Sequence, residues 1–170
     1  NFSYAYLSNI EDWSAKVDVD WMPNPDHMVK FGIGDIYHTF TPGVNQFQFS
    51  QTGNSALDTT FGAVKHYAHE VAAYLEDDWT VNDKLKGNGG FHYSTFFVGN
   101  KQYSTLQPRL SFRYLIDQKS SFKMGYAKMG QFLHLLTNSG IGLPTDLWVP
   151  ATEKIKPQFS EQIAAGYART

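Results

Sequence analysis

Val71-Ala-Ala-Tyr-Leu-Glu-Asp-Asp-Trp79, Thr80-Val-Asn-Asp-Lys84 and Leu85-Lys-Gly-Asn-Gly-Gly-Phe-His-Tyr-Ser-Thr-Phe-Phe97 follow one another without a break, and together they read as two strands joined by a tight turn at Asn82-Asp83-Lys84. Successive side chains on a strand point to opposite faces. On the first strand Val71, Ala73, Leu75 and Trp79 share an apolar face, with Asp77 an exception, and Glu70, Tyr74, Glu76 and Asp78 share the other. On the second, Leu85, Gly87, Gly89, Phe91, Tyr93 and Phe97 alternate with Lys86, Asn88, His92 and Ser94. Each strand runs for about ten residues or more, where soluble sheets use ~5–6. About 9–11 tilted residues is the length that crosses a bilayer.

The same alternation continues on both sides. Trp13 to Met22 sets Trp13, Ala15, Val17, Val19 and Trp21 against Ser14, Lys16, Asp18 and Asp20. Pro23-Asn24-Pro25-Asp26 ends that strand, because proline donates no ladder hydrogen bond. His27 to Phe40 carries Val29, Phe31, Ile33 and Tyr37 on one face. Downstream, a short connection at Gly99-Asn100-Lys101 leads to strand Leu106–Leu115, a tight turn at Asp117–Ser120, strand Phe122–Met129 and a last strand Phe159–Ala168. Thr41–Ala63 is rich in Thr, Ser, Asn, Gln and Gly and reads as a long loop, in which Phe47 and Phe49 alternate with glutamines like a strand extension. Gln131–Lys156 reads as a second long irregular segment, with a helical turn or two over Phe132–Thr137 and prolines at 144, 150 and 157.

These connections separate two ends. Pro23–Asp26, Asn82–Lys84 and Asp117–Ser120 are short and lie at one end of an up-and-down meander; the two long segments lie at the other. Outer-membrane barrels have short periplasmic turns and long external loops. Trp21, Trp79 and Tyr114 each precede a short turn, which places three aromatics at one level, as an interfacial girdle requires. The expected fold is therefore all-β, an antiparallel up-and-down transmembrane barrel section of about seven strands. A soluble β-sandwich that binds carbohydrate or protein fits the same alternation, with Phe47, Phe49 and Trp148 as contact residues.

Composition narrows the classes. The formal net charge is −2, which gives no support for a nucleic-acid partner, since such proteins show a basic patch or stripe. Charged residues are 18% and aromatics 16% of the chain, a balance that suits both a lipid-facing barrel and a sandwich. With no cysteine, disulfides and thiolate metal sites are excluded. His66 and His69 fall on opposite faces of a strand and lack zincin spacing, so no metal site is expected. Gly87-Asn88-Gly89-Gly90 lies inside a strand with no following helix and fails as a phosphate loop. Gly-x-Ser-x-Gly is absent. Neither catalysis nor a cofactor is expected.

Tyr74-Leu-Glu-Asp-Asp-Trp79, the turn Asn82-Asp83-Lys84-Leu85 and Gly90-Phe-His-Tyr93 resemble the barrel hairpin of TonB-dependent outer-membrane receptors. Gln107-Pro-Arg-Leu-Ser-Phe-Arg-Tyr114 with Phe122-Lys-Met-Gly-Tyr126 looks like the next hairpin of that family. Ile155-Lys-Pro-Gln-Phe-Ser-Glu-Gln162 with Gly166-Tyr167 is similar to the opening of a later strand. The series keeps the family's order over most of Tyr67–Ala168. It implies a piece of a receptor in the outer membrane of a Gram-negative bacterium that imports a large or scarce nutrient. The family's plug domain and energy-coupling box do not appear here, and about seven strands fall short of its 22. Residues 1–170 are thus expected to be an internal section from the C-terminal half of the barrel. The partners implied are outer-membrane lipid, the rest of the barrel and its plug, the TonB protein acting through the coupling box, and a small-molecule or oligomeric nutrient. Gly87 stands at a lipid-facing position where leucine is expected.

On this reading Asp18, Asp20, Glu76, Arg109 and Arg113 face the lumen, where polar side chains pair with each other or with a plug. Substrate-facing groups are expected in the long segments, where residues are free of lipid and lumen packing: Phe47 and Phe49 in the first, Phe132, His134, Asp146 and Trp148 in the second.

Overall fold

The computed structural model describes residues 2–50, 56–62, 64–138 and 145–170. Among them are ten β-strands and no helix: β1 (Phe2–Asn24), β2 (His27–Ser50), β3 (Ala56–Phe61), β4 (His66–Thr80), β5 (Leu85–Val98), β6 (Lys101–Leu115), β7 (Ser120–Gln131), β8 (Leu133–Asn138), β9 (Thr145–Pro150) and β10 (Gln158–Arg169). An antiparallel path β1-β2-β4-β5-β6-β7-β10, with β3 added to the far part of β2, curls into a half-barrel; β8 and β9 form a separate hairpin. The expected seven strands are the seven of this path. The count of strands among the described residues is higher because β3, β8 and β9 arise inside the two segments expected to be loops.

Local chemistry accounts for the short turns. Asn24 Oδ1 accepts the backbone N–H of Asp26 at 2.9 Å, Asn82 Oδ1 those of Lys84 and Leu85 at 2.9 Å, and Asp117 Oδ1 that of Lys119 at 2.7 Å. Each closes an Asx turn, in which a short side chain replaces a backbone acceptor. The hydrogen bond from Lys119 N–H also holds the Asp117 carboxyl below the usual carboxylate range. A depressed carboxylate supports the fold while ionised and loses that support as pH falls through its folded-state pKa.

The loop expected over Thr41–Ala63 is corrected. β2 continues to Ser50, held by β1 on one side and by β3 on the other. Between the pairs Leu7↔Val44 and Asn9↔Thr41, β2 carries one extra residue, with Gly43 at φ 60°. This is a bulge built on a left-handed glycine. It shifts the alternation, so beyond it Tyr4 and Phe47 lie on the face that carries Ile10 and Phe40 below. A strand so rich in Asn, Gln and Ser looks like a loop by composition, yet two ladder partners satisfy its backbone. The helical turn expected over Phe132–Thr137 is also corrected: Leu133–Asn138 is a strand, paired residue for residue with β9. Pro150 is the last residue of β9, a position where a missing N–H costs no ladder bond. The irregular reading of Gln131–Lys156 gives way to this hairpin.

The hydrophobic core is small and lies at the long-segment end. Phe40, Ala68, Phe96, Phe132 and Ala151 are buried together, with Ile10, Val98, Tyr103 and Leu133 against them. Phe96 and Phe132 stack face to face, centroids 5.0 Å apart and planes within 5°. Ala151 N–H donates to Phe132 O at 2.7 Å, and Tyr103 O–H to Thr152 O at 2.6 Å. Phe40, Ala68 and Phe96 belong, by alternation, to the polar face of the sheet. The hairpin therefore folds onto the polar face and leaves the apolar one uncovered.

Candidate functional site

The apolar outer face holds two lines of aromatics. Trp21 pairs with Val29 and Val29 with Asp77, so Trp79 on β4 lies two residues nearer the short turns than Trp21 on β1. Trp79 pairs with Gly87 and Leu85 with Tyr114, so Tyr114 on β6 lies two residues nearer again. Each fall of two residues, about 6.8 Å, accompanies a move of two strands, about 9.6 Å, a slant of roughly 35°. Strands of membrane barrels tilt by ~35–45°. A second line runs Trp13, Tyr37 and Tyr93, with Trp13 and Tyr37 directly paired and Tyr93 two ladder steps lower on β5. Its slant, roughly 43°, is similar. Tyr67 and Phe97 lie above it. The eight residue steps from Trp13 to Trp21 span about 27 Å of strand, or about 22 Å along the axis of a barrel with that tilt.

Exceptions on this face are accounted for. Gly87 and Gly89 are covered by the Trp79 indole: a Cβ on Gly87 would lie 2.5 Å from Trp79 Cε2, and one on Gly89 2.8 Å from Cη2. A cross-strand aromatic lying over glycine fills the place a leucine would have taken. Asp77 and Asp35 are both matched by histidines across the β2–β4 seam, His27 Nδ1 at 2.6 Å and His69 Nδ1 at 3.6 Å. Asp77 lies one ladder step inside the lower aromatic line and Asp35 one step inside the upper.

The inner face is polar and the hollows of the sheet open onto it. The registers place Asp18, Asp20, Glu76, Arg109 and Arg113 there together. On the β1–β5 side two lysines pair with carboxylates, and an asparagine and a tyrosine donate to carboxylates. Lys16 Nζ lies 3.0 Å from Asp18 Oδ1 and Lys30 Nζ 3.0 Å from Asp78 Oδ2. Asn88 Nδ2 donates to Glu76 Oε1 at 2.8 Å and Asp78 Oδ1 at 2.7 Å. Tyr74 O–H donates to Asp18 Oδ1 at 2.6 Å, crossing over β2 at Gly32. A Cβ on Gly32 would lie 2.7 Å from the Tyr74 ring and 2.6 Å from Asp18 Oδ1. Gly32→Val should break this crossing and cost about 1–3 kcal/mol as overpacking, read as a lower unfolding midpoint. Tyr74→Phe, which keeps the ring, should cost about 1 kcal/mol. Equal losses in the two variants would contradict this role for Gly32.

At the mouth the expected substrate residues fall into different settings. Phe47 is exposed in an aromatic group, 5.0 Å from the Tyr4 centroid and 6.4 Å from that of Phe61. Phe132 is buried in the stack with Phe96, and His134 is buried on β8 with Nε2 unpartnered. Trp148 is exposed, opposite the exposed Leu135 across the hairpin. The side chains of Phe49 and Asp146 lie outside what is described. Tyr4 and Phe61 were not anticipated; the bulge sets Tyr4 opposite Phe47, and pairing with β3 brings Phe61. Among the described residues no group of three or more His, Cys, Asp or Glu is placed to hold a metal. No protein-family model, curated protein or solved structure matches this chain.

Proposed function

We propose that this chain is part of the wall of a TonB-dependent receptor in a Gram-negative outer membrane, a non-catalytic section of a transporter for a large or scarce nutrient. The observation that carries the barrel reading is the pair of slanted aromatic lines bounding an apolar outer face, with a polar inner face behind it. An apolar band about 25 Å tall between aromatic girdles is the lipid-facing signature of membrane barrels. A sandwich would bury its apolar face under a second sheet. Among the described residues the small β8–β9 sheet lies on the polar side instead, which favours the barrel over the sandwich. The motif series around Tyr74–Trp79, Gly90–Tyr93 and Gln107–Tyr114 supports the particular receptor family. The plug, the coupling box and the energy-transducing partner belong to the proposed parent protein. Phe47, with Tyr4 and Phe61, and Trp148 with Leu135 are the described groups at the mouth that can meet a substrate; Phe132 and His134 anchor the hairpin.

Fractionation of cells expressing the full-length protein tests the reading. It should sediment with the outer membrane and, on gels without boiling, migrate as a compact heat-modifiable band. Recovery in the soluble periplasmic fraction would select the sandwich.

A further inference from the structure

The inner wall divides into two halves of unlike charge. Its β1–β4 half is rich in acids, Asp12, Asp18, Asp20, Glu70, Glu76 and Asp78, against Lys16 and Lys30, with His38 beside Asp12 and Glu70. The inner positions of β5, β6, β7 and β10 carry no aspartate or glutamate; Lys101, at the long-segment end, is paired with Glu153, and below it stand Lys86, Arg109, Arg113 and Lys123. Lys86 and Arg113 are direct cross-strand partners, as are Arg113 and Lys123, which sets three cations in one row. Like charges directly opposite on a sheet repel. None of the four makes an ion pair or hydrogen bond among the described residues. Glu76, two strands from Arg109 across Gly90, is held by Asn88 instead.

Arg109 stands two ladder steps above that row, at the edge of a hollow of about 290 Å³. Ser111 and Gln162 supply a hydroxyl and an amide to its lining, and Gly125 and Ala164 form a floor without bulk. Asn88, committed to Glu76 and Asp78, closes its acidic side. A guanidinium with hydroxyl and amide donors over an open floor is the donor set that binds carboxylate or phosphate. The volume is near the lower end of the ~300–1,000 Å³ of small-molecule sites. Arginine and lysine lining a pore select anions.

We propose that the hollow at Arg109 binds a small solute bearing a carboxylate or phosphate, and that Lys86, Arg113 and Lys123 extend it as an anion track toward the short-turn end of the lumen. The inference rests on the barrel reading for its lumen and narrows the substrate to an anionic class. A solute is favoured over an acidic protein segment because the donors surround a small hollow, with the remaining cations continuing down the wall rather than spread around one broad patch.

The test is calorimetric titration of the full-length protein in detergent with inorganic phosphate and with citrate, and with glucose as the neutral probe. Saturable binding of phosphate or citrate is expected, weakened at least 10-fold by Arg109→Gln and less by Arg113→Gln, with glucose silent. The unfolding midpoint should move little, because Arg109 has no ion-pair or hydrogen-bond partner among the described residues. Absence of anion binding, anion binding indifferent to Arg109→Gln, or glucose binding with both anions silent would overturn the proposal. So would a large fall in the midpoint of Arg109→Gln without anion binding, which would assign the patch to an acidic segment of the protein itself. Insertion of the same preparation into lipid vesicles separates the two readings. Inserted protein that ignores both anions sinks only the anion site. Protein that binds phosphate through Arg109 yet does not insert sinks the barrel and keeps the site.

Discussion

Ile33→Arg should abolish most of the folded, membrane-inserted protein. Ile33 lies midway between the two aromatic lines, paired with Val17 on one side and Ala73 on the other, and is 57% exposed. That exposure makes the substitution decisive. A half-exposed isoleucine in water tolerates arginine within about ±0.5 kcal/mol, the usual range for surface changes. On the lipid face near the bilayer midplane the same change costs about 2–4 kcal/mol, because a charge replaces an apolar group where no water solvates it. The measurement is the urea-unfolding free energy in lipid vesicles, with the yield of the heat-modifiable band as a second readout. Gln46→Arg provides the comparison. Gln46 is paired with Ala5 and Thr60 on the part of β2 beyond the bulge, above the upper aromatic line, and its replacement should change stability little. Equal, small effects at the two positions would remove the outer face from lipid.

Phe96→Ala should release the β8–β9 hairpin from the inner wall. Phe96 has no exposed surface and its ring is the platform on which Phe132 stacks. Removing a buried phenyl costs about 3–5 kcal/mol, from lost burial and from the cavity it leaves. Besides the stack, the base of the hairpin is tied to the wall by the Tyr103–Thr152 hydrogen bond, worth about 1 kcal/mol, and by the exposed Lys101–Glu153 pair, worth less than that. Two readouts distinguish local release from global collapse. Trypsin should cut faster after Lys154, which sits in the exposed turn after β9, while the unfolding midpoint of the wall falls less than the cleavage rate rises. Tyr103→Phe should produce a small shift in both. Unchanged cleavage in Phe96→Ala would mean that the stack does not hold the hairpin.

Much of the wall was legible without coordinates. Trp13–Trp21, Val29–Tyr37, Val71–Trp79 and Leu106–Tyr114 announce their faces by period-2 alternation, and Asn24, Asn82 and Asp117 announce their turns by side chains that fold back on the backbone. What was misread lay where composition and structure part. Val44–Ser50 carries polar residues on both faces and passes for a loop, but pairing on both sides makes it a strand. Leu133–Asn138 has no clean period because its leucines stand on both faces, with the polar His134 buried and Leu135 and Leu136 exposed. By sequence Phe132 reads as a mouth residue; whether a side chain in such a segment points inward to pack or outward to bind is decided, for Phe132, by Phe96, a partner far away in sequence.

Alternation by itself determines that this chain makes long amphipathic strands with one apolar and one polar face, because facing is a property of consecutive residues. It says nothing of which residues stand beside one another across strands. Register supplies that, and register comes from turn closure and from the bulge at Gly43. Only the tertiary structure decided that the aromatic lines slant across the sheet, that Trp79 fills the space over Gly87, and that Tyr74 crosses Gly32 to reach Asp18. It also decided that Lys86, Arg109, Arg113 and Lys123 share part of a wall without an ion pair among the described residues. Each depends on neighbours dozens of residues apart being brought within a strand spacing, about 4.8 Å, which local sequence does not encode.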